Sequence, residues 1–190
     1  EIKDSISIST NTSNKPSKEQ IMNQTFKLHS KGNISEAVKY YQYFINQGFN
    51  DHRVLSNYGI ILKNHGKLKE AELSLRKAIE LNPIFADAHY NLGNILRDLG
   101  KLKDAEISLR KAIEIKPNFA EAHSNLGNIL RDLGKLKEAE LSTRKAIELK
   151  PDLADAHSNL GSILRDLGNL EEAELSTRKA IELKPDLADA

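Results

Sequence analysis

The sequence contains no cysteine and no tryptophan, and only 5% of its 190 residues are aromatic. The absence of cysteine excludes disulfide bonds and thiolate metal sites, and it fits a reducing compartment, so we expect a cytoplasmic location. No apolar run approaches the roughly 18–20 residues needed to span a bilayer, and the first residues lack the apolar segment of a signal peptide. Because the chain starts at Glu1 without methionine and stops just inside another copy of its repeat, we expect a piece of a longer protein.

An excess of charge of one sign is also missing, since Lys plus Arg number 28 and Asp plus Glu number 27. A nearly neutral chain with few aromatic rings lacks the bulk positive charge that attracts nucleic acids and anionic membranes. The sequence shows no nucleophile–base pair, no phosphate-binding loop and no paired carboxylates typical of an active site. We therefore predict that the protein is not an enzyme, has no cofactor and binds neither nucleic acid nor membrane.

A 34-residue unit is written three times with little change between Ala86 and Leu187. Its copies begin ADAHYNLG, AEAHSNLG and ADAHSNLG, and each continues through ILRDLG to a proline. A fixed period of this length indicates a stacked repeat protein. We divide the chain into a polar tail (1–17), five copies (18–51, 52–85, 86–119, 120–153 and 154–187) and the start of a further copy (188–190).

Each copy is predicted to form two antiparallel helices, called here helix A and helix B. In the fourth copy, helix A is expected over about 120–133 and helix B over about 136–149. Gly134 follows helix A, where a left-handed residue is needed, and Pro151 follows helix B. Asp152 then suits the N-cap of the next helix A. The pattern predicts an all-α fold in which each helix pair gains its core by stacking on its neighbours.

Small residues mark the contact between the two helices of a pair. Gly127 lies next to the apolar face of helix A that contains Leu126 and Leu130, and Ala139 and Ala146 lie on helix B. We expect that the absence of a side chain at Gly127 lets the two helices approach closely.

These glycines, alanines and prolines, with a small residue before each Leu-Gly, resemble the tetratricopeptide repeat over about 18–187. The segment SNLGNILRDLG is most similar to the superhelical repeats of O-linked N-acetylglucosamine transferases. The resemblance implies a right-handed α-solenoid, or superhelix, of five units, with helix A on the concave wall. In those transferases an asparagine ladder holds substrate polypeptide. This sequence departs from the usual pattern in placing His89, His123 and His157 where an aromatic residue is common.

Helix A carries polar residues that recur at fixed positions without a core to explain them. The asparagine ladder comprises Asn57, Asn91, Asn125 and Asn159, and a second amide row comprises Asn94 and Asn128. An arginine row follows with Arg97, Arg131 and Arg165, and beside it an aspartate row with Asp98, Asp132 and Asp166. We predict that these residues bind a peptide, because an asparagine offers both a donor and an acceptor to a backbone. Alternatively, the asparagines hydrogen-bond between repeats, and the arginines and aspartates pair with each other.

Two further patterns have a structural explanation. Helix B repeats Arg-Lys, for example at Arg110–Lys111, with glutamates four residues before and after each arginine. That spacing is typical of i,i+4 ion pairs on a solvated face rather than of a nucleic-acid site. His89, His123 and His157 recur about one helix spacing apart, too far to share a metal ion, so we interpret them as packing residues between repeats.

The sequence thus predicts a non-catalytic scaffold that binds an extended segment of a protein partner along the concave groove. Four bidentate asparagines would contribute roughly 4–12 kcal/mol, against an association cost of about 4–15 kcal/mol, so weak and sequence-tolerant binding is expected. One alternative is the substrate-recognition region of a larger transferase. Another is a self-assembly module that stacks end to end through an open C-terminal face around Ala173, Leu175 and Ile181.

Overall fold

The computed structural model describes residues 15–184, and every regular element within them is an α-helix. The ten helices are α1 (Lys18–Ser30), α2 (Ile34–Asn46), α3 (His52–Asn64), α4 (Leu68–Leu81), α5 (Ala86–Asp98), α6 (Leu102–Ile115), α7 (Ala120–Asp132), α8 (Leu136–Leu149), α9 (Ala154–Asp166) and α10 (Leu170–Leu183). Consecutive helices pack as pairs, which confirms the all-α solenoid of helix pairs. No helix in the described part of the chain is long and apolar enough to cross a membrane.

The chain forms two compact units, Glu1–Pro83 and Ile84–Ala190. The first contains α1 to α4 and the second α5 to α10. Most of the predicted polar tail, together with Pro185 and the start of the further copy, lies outside the described residues.

Glycine ends each odd-numbered helix, as predicted. Gly134 has φ of 75°, and its N–H donates to the Arg131 carbonyl at 2.9 Å while the Lys135 N–H donates to the Leu130 carbonyl at 2.8 Å. These two bonds form a Schellman motif, which needs a left-handed residue at this position. No residue other than glycine has a positive φ within 15–184.

The predicted N-cap at Asp152 is wrong. Leu153 occupies the N-cap of α9, and no side chain caps that helix. The Leu153 N–H donates to the Lys150 carbonyl at 3.1 Å, so Pro151 and Asp152 are the central residues of a turn that ends just before the helix. Side-chain caps occur instead in the first unit, where Ser17 forms a capping box with Gln20.

The two helices of the fourth pair touch at Gly127, which confirms the predicted close approach. A Cβ atom at Gly127 would overlap the Thr143 side chain and lie 3.1 Å from the Ala139 carbonyl oxygen. Ala139 and Ala146 are fully buried on α8. The small residues therefore set the distance between α7 and α8.

The first pair keeps one of these small residues, the fully buried Ala37, and replaces the other two within a larger aromatic core. Tyr41 and Phe44 are fully buried, and Phe49 packs 5.4 Å from Phe44 where later copies have proline. Thr25 stands at the glycine position, fully buried, and its hydroxyl donates to the Ile21 carbonyl at 2.7 Å.

The glutamate four residues before each arginine of α4, α6, α8 and α10 forms the predicted i,i+4 pair. In α6, α8 and α10 the glutamate four residues after the arginine pairs instead with the adjacent lysine, three residues away. The second unit adds pairs between repeats. Glu106 accepts from Arg110 on its own helix and from Lys135 of the next repeat, at 2.9 Å each. Arg110 also contacts Glu138 at 2.7 Å. Burial by itself would raise the pKa of Glu106, but the hydrogen bonds from Lys135 and Arg110 outweigh it and hold the pKa below its usual value.

Replacing Gly127→Ala should lower the free energy of unfolding by about 1–3 kcal/mol, because the added methyl overlaps Thr143. This cost exceeds the gain in helix propensity of about 0.8–1.0 kcal/mol from glycine to alanine. Thermal and urea unfolding of the single variants and of the Gly127→Ala/Thr143→Ala double variant would measure it. The cost should shrink in the Thr143→Ala background, and additive effects would contradict the proposed overlap.

Replacing Glu106→Gln should destabilise the protein by about 1 kcal/mol at neutral pH, since two half-exposed cations lose their shared carboxylate. The carboxylate has a lowered pKa, so its contribution is complete above the unfolded-state value and disappears as the pH falls through the folded-state pKa. Urea unfolding across acidic pH would follow the difference between wild type and variant. The control Glu148→Gln, at an exposed pair with Lys145, should change little at any pH.

Candidate functional site

The asparagine ladder lies on the odd-numbered helices, and each of its members is half-buried. In the second unit α5 contacts α7 and α7 contacts α9, so these helices lie side by side. We call the surface that they form with Asn91, Asn94, Asn125, Asn128 and Asn159 the A face. It brings together the ladder and the second amide row of this unit.

Asn125 connects two neighbouring repeats. Its Nδ2 donates to Oδ1 of Asn94 at 2.7 Å and to the hydroxyl of Tyr90 at 3.3 Å, both on α5. The predicted structural role of the ladder is therefore present at this position. The Tyr90 ring in turn packs on Phe119 at 4.7 Å between ring centroids.

Asn159 makes the corresponding connection one repeat later. Its Nδ2 lies 3.0 Å from Oγ of Ser124 and 3.4 Å from the Ser124 carbonyl oxygen. Because a carbonyl oxygen can only accept, this contact orients the amide with its nitrogen toward α7. Ser124 is 2% exposed, so the bond satisfies a buried hydroxyl.

The same amides keep groups that the fold does not use. Oδ1 of Asn125, Oδ1 of Asn159 and Nδ2 of Asn94 have no hydrogen-bond partner among the described residues, and Asn128 makes no side-chain hydrogen bond there. No buried side-chain nitrogen or oxygen of residues 15–184 is left without a partner, so these atoms must reach solvent. The A face thus combines bonds between repeats with free donors and acceptors.

Asn57 in the first unit has a different partner. It hydrogen-bonds the buried Tyr41, whose hydroxyl also lies 2.7 Å from Nδ1 of His29. Burial raises the pKa of Tyr41 to about 12, and the bond from Asn57 opposes this only in part. Asn57 therefore supports the aromatic core of the first unit.

The arginine and aspartate rows pair with each other. Arg97 contacts Asp98 at 3.0 Å, and Arg131 contacts Asp132 at 3.4 Å and Asp166 of the next repeat at 3.6 Å. This matches the alternative in which the charges neutralise one another. Among the described residues, exposed Arg165 has no such partner.

The even-numbered helices of the second unit display an apolar row that sequence reasoning missed. It comprises Ile107, Leu141 and Leu175, which recur once per repeat and are 67–70% exposed. In the first unit, Leu73 at the same position of its copy is 70% exposed. In the second unit, open clefts of about 480 and 530 Å³ lie beside Leu141 and Leu175. The signal in the sequence was an apolar residue repeated outside the face of helix B that packs on helix A.

The recurring histidines close the turns between repeats. Nε2 of His123 lies 2.9 Å from the Pro117 carbonyl oxygen, and Nε2 of His157 lies 2.9 Å from that of Pro151. Both side chains are half-buried, in agreement with a packing role. Across residues 15–184, no group of His, Asp or Glu is arranged to hold a metal ion.

The two uses of the amides predict different effects of substitution on stability. Asn159→Ala should cost about 0.5–1.5 kcal/mol, because it removes the bonds to Ser124. Asn128→Ala should change stability by less than about 0.5 kcal/mol, because that amide makes no hydrogen bond and alanine favours the helix. Urea unfolding of both variants would measure the difference. Equal costs would show that the hydrogen bonds from Asn159 to Ser124 add nothing to the free energy of unfolding.

Comparison with known proteins agrees with this architecture. A family model described as TPR repeat matches residues 59–100 and 93–134, and one described as tetratricopeptide repeat matches 120–153 and 154–187. No match was found among curated protein sequences.

Solved structures are also similar to this chain. MamA is 25% identical with a TM-score of 0.74, and the match covers 87% of this chain and 97% of MamA. YrrB, described as a TPR protein with an unusual peptide-binding site, is 27% identical with a TM-score of 0.74 over 90% of this chain and 88% of its own. A thermophilic TPR protein of Thermus thermophilus, at 21% identity and a TM-score of 0.70 over 91% and 94%, shares the fold. The helix pairs, their glycine contacts and these matches show that the chain belongs to the tetratricopeptide repeat family.

Proposed function

We propose that this protein is a non-catalytic scaffold that binds an extended segment of a partner protein along the A face. The observation that carries the proposal is the row of amides whose Oδ1 or Nδ2 atoms remain unpaired and open to solvent. Bonds between repeats do not use these free atoms. Asn125 and Asn159 bond the preceding repeat through Nδ2 and keep Oδ1 free, whereas Asn94 bonds through Oδ1 and keeps Nδ2 free. A peptide backbone offers matching donors and acceptors.

The energetics differ from those of a bidentate ladder. Asn125 and Asn159 each keep one open group. With one bond each, the three ladder residues of the A face, Asn91, Asn125 and Asn159, would contribute about 1.5–4.5 kcal/mol. That is at or below the cost of association of about 4–15 kcal/mol. The proposal therefore implies weak binding by each repeat and dependence on contacts added along the segment.

Family membership indicates a protein–protein interaction scaffold, and the peptide-binding site described for YrrB agrees with the proposal. The paired arginines and aspartates support recognition through amides more than through charge. Nothing among the described residues favours a transferase substrate region over other scaffolds.

End-to-end self-assembly is less well supported. The third, fourth and fifth copies each bury an isoleucine completely, at Ile95, Ile129 and Ile163. The first copy has exposed Lys27 at that position, and exposed Gln20 where Ala122 is fully buried. A second chain stacked on α1 would have to bury a lysine, which costs free energy unless the charge is paired.

Substitutions that spare the bonds between repeats offer the sharpest test. Asn91→Ala/Asn128→Ala should weaken binding at least about threefold while the helical circular dichroism signal and the melting temperature stay unchanged. Binding would be measured by NMR titration of the labelled chain with a flexible Gly-Ser peptide.

The matched control is Ile107→Ala/Leu141→Ala, which removes two exposed side chains of the apolar row on the even-numbered helices. It should leave binding unchanged. Loss of binding in this control with full binding in the asparagine variant would assign the interface to the even-numbered helices and contradict the proposal.

A further inference from the structure

Asn125 and Asn159 use the same half of their amides to hold the preceding repeat. The Nδ2 atoms donate to the hydroxyls of Tyr90 and Ser124, each 35 residues earlier in the chain. The hydroxyls therefore occupy equivalent positions of successive repeats. Each Oδ1 atom has no partner among the described residues, so both positions present an acceptor and no donor.

Free hydrogen-bond donors lie beside these acceptors, in the second amide row of Asn94 and Asn128. Asn94 accepts from Asn125 through its Oδ1 at 2.7 Å, which leaves its Nδ2 free. Asn128, at the same position one repeat later, makes no side-chain hydrogen bond within 15–184. Each junction between repeats thus offers one ladder acceptor and one donor from the preceding repeat.

The spacing of the acceptors selects the conformation of the ligand. Helices that pack side by side, as α7 and α9 do, lie about 8–10 Å apart. In a β-strand, groups on one side recur every second residue, about 6.6–6.8 Å apart. In polyproline II, they recur every third residue at a rise of about 3.1 Å, which gives about 9.3 Å. The polyproline II period matches the helix spacing, and the strand period does not.

We propose that the A face binds a segment in the polyproline II conformation, with Asn125 and Asn159 accepting the backbone N–H of every third residue. Asn94 and Asn128 donate to its carbonyls. This inference rests on the proposed function and narrows the partner to an extended segment that retains an N–H at every third residue. Proline is compatible with the positions between, because those N–H groups face away from the acceptors.

Three peptides of equal length test the period. One repeats Pro-Pro-Ser, one alternates Pro-Ser, and one is polyproline. All favour polyproline II, but they retain one N–H in three, one in two, and none. Only the first presents an N–H to both acceptors at once. In any register, the alternating peptide presents one of the two.

NMR titration of the labelled chain gives the affinities, with the side-chain signals of Asn125 and Asn159 as reporters. The Pro-Pro-Ser repeat should bind most tightly, the alternating peptide about two- to tenfold more weakly, and polyproline more weakly by a similar factor again. Equal affinities, or tighter binding of the alternating peptide despite its larger number of N–H groups, would overturn the inference.

A flexible Gly-Ser peptide separates this inference from the proposed function. If neither it nor the Pro-Pro-Ser repeat shifts the A-face signals, peptide binding itself fails. If it binds and polyproline binds as tightly as Pro-Pro-Ser, peptide binding stands and recognition through N–H groups is wrong.

The variant Asn125→Leu/Asn159→Leu removes both acceptors and should abolish the difference between Pro-Pro-Ser and polyproline. Leu141→Ala, in the apolar row on the even-numbered helices, should preserve this difference. If the double variant folds poorly, the affinities of the three peptides for the unchanged protein still test the inference.

Discussion

The contact between the two helices of a pair, made at one glycine in each of the second to fifth copies, is the constraint on which the rest of this structure depends. At Gly93, Gly127 and Gly161, the space of a Cβ atom is already taken by the facing helix. Close packing at these points orders the odd-numbered helices of the second unit side by side. That order brings asparagines 34 residues apart in the sequence onto one surface, where a single segment could meet several of them.

In the proposed mode of binding, asparagine serves two purposes on this surface because its amide has two chemically different ends. The nitrogen of Asn159 satisfies the buried hydroxyl of Ser124, and the oxygen remains available. A bond between repeats therefore does not compete with ligand binding but holds the free atom in place. Preorganisation of this kind reduces the entropy lost on binding, which matters when each contact contributes little.

Charged side chains of the second unit join neighbouring repeats through ion pairs. Glu106 joins Arg110 and Lys135 across a junction between repeats, and Arg131 joins aspartates of two repeats. Since Lys plus Arg number 28 and Asp plus Glu number 27, little net charge is left to select an acidic or basic partner. The proposed recognition through backbone groups, tolerant of side-chain identity, is compatible with this balance of charge.

The sequence by itself determined the repeat, the helix pairs and the glycine positions, because these depend on local backbone geometry and on small residues at a fixed period. Gly134 needed a left-handed conformation and Gly127 a close contact, and both requirements are visible in a single copy. The turn at Asp152, the orientation of the Asn125 amide and the exposure of Leu141 were not predictable from one copy. Only the tertiary structure decided them, because each depends on where the neighbouring helices place a carbonyl, a hydroxyl or an open cleft.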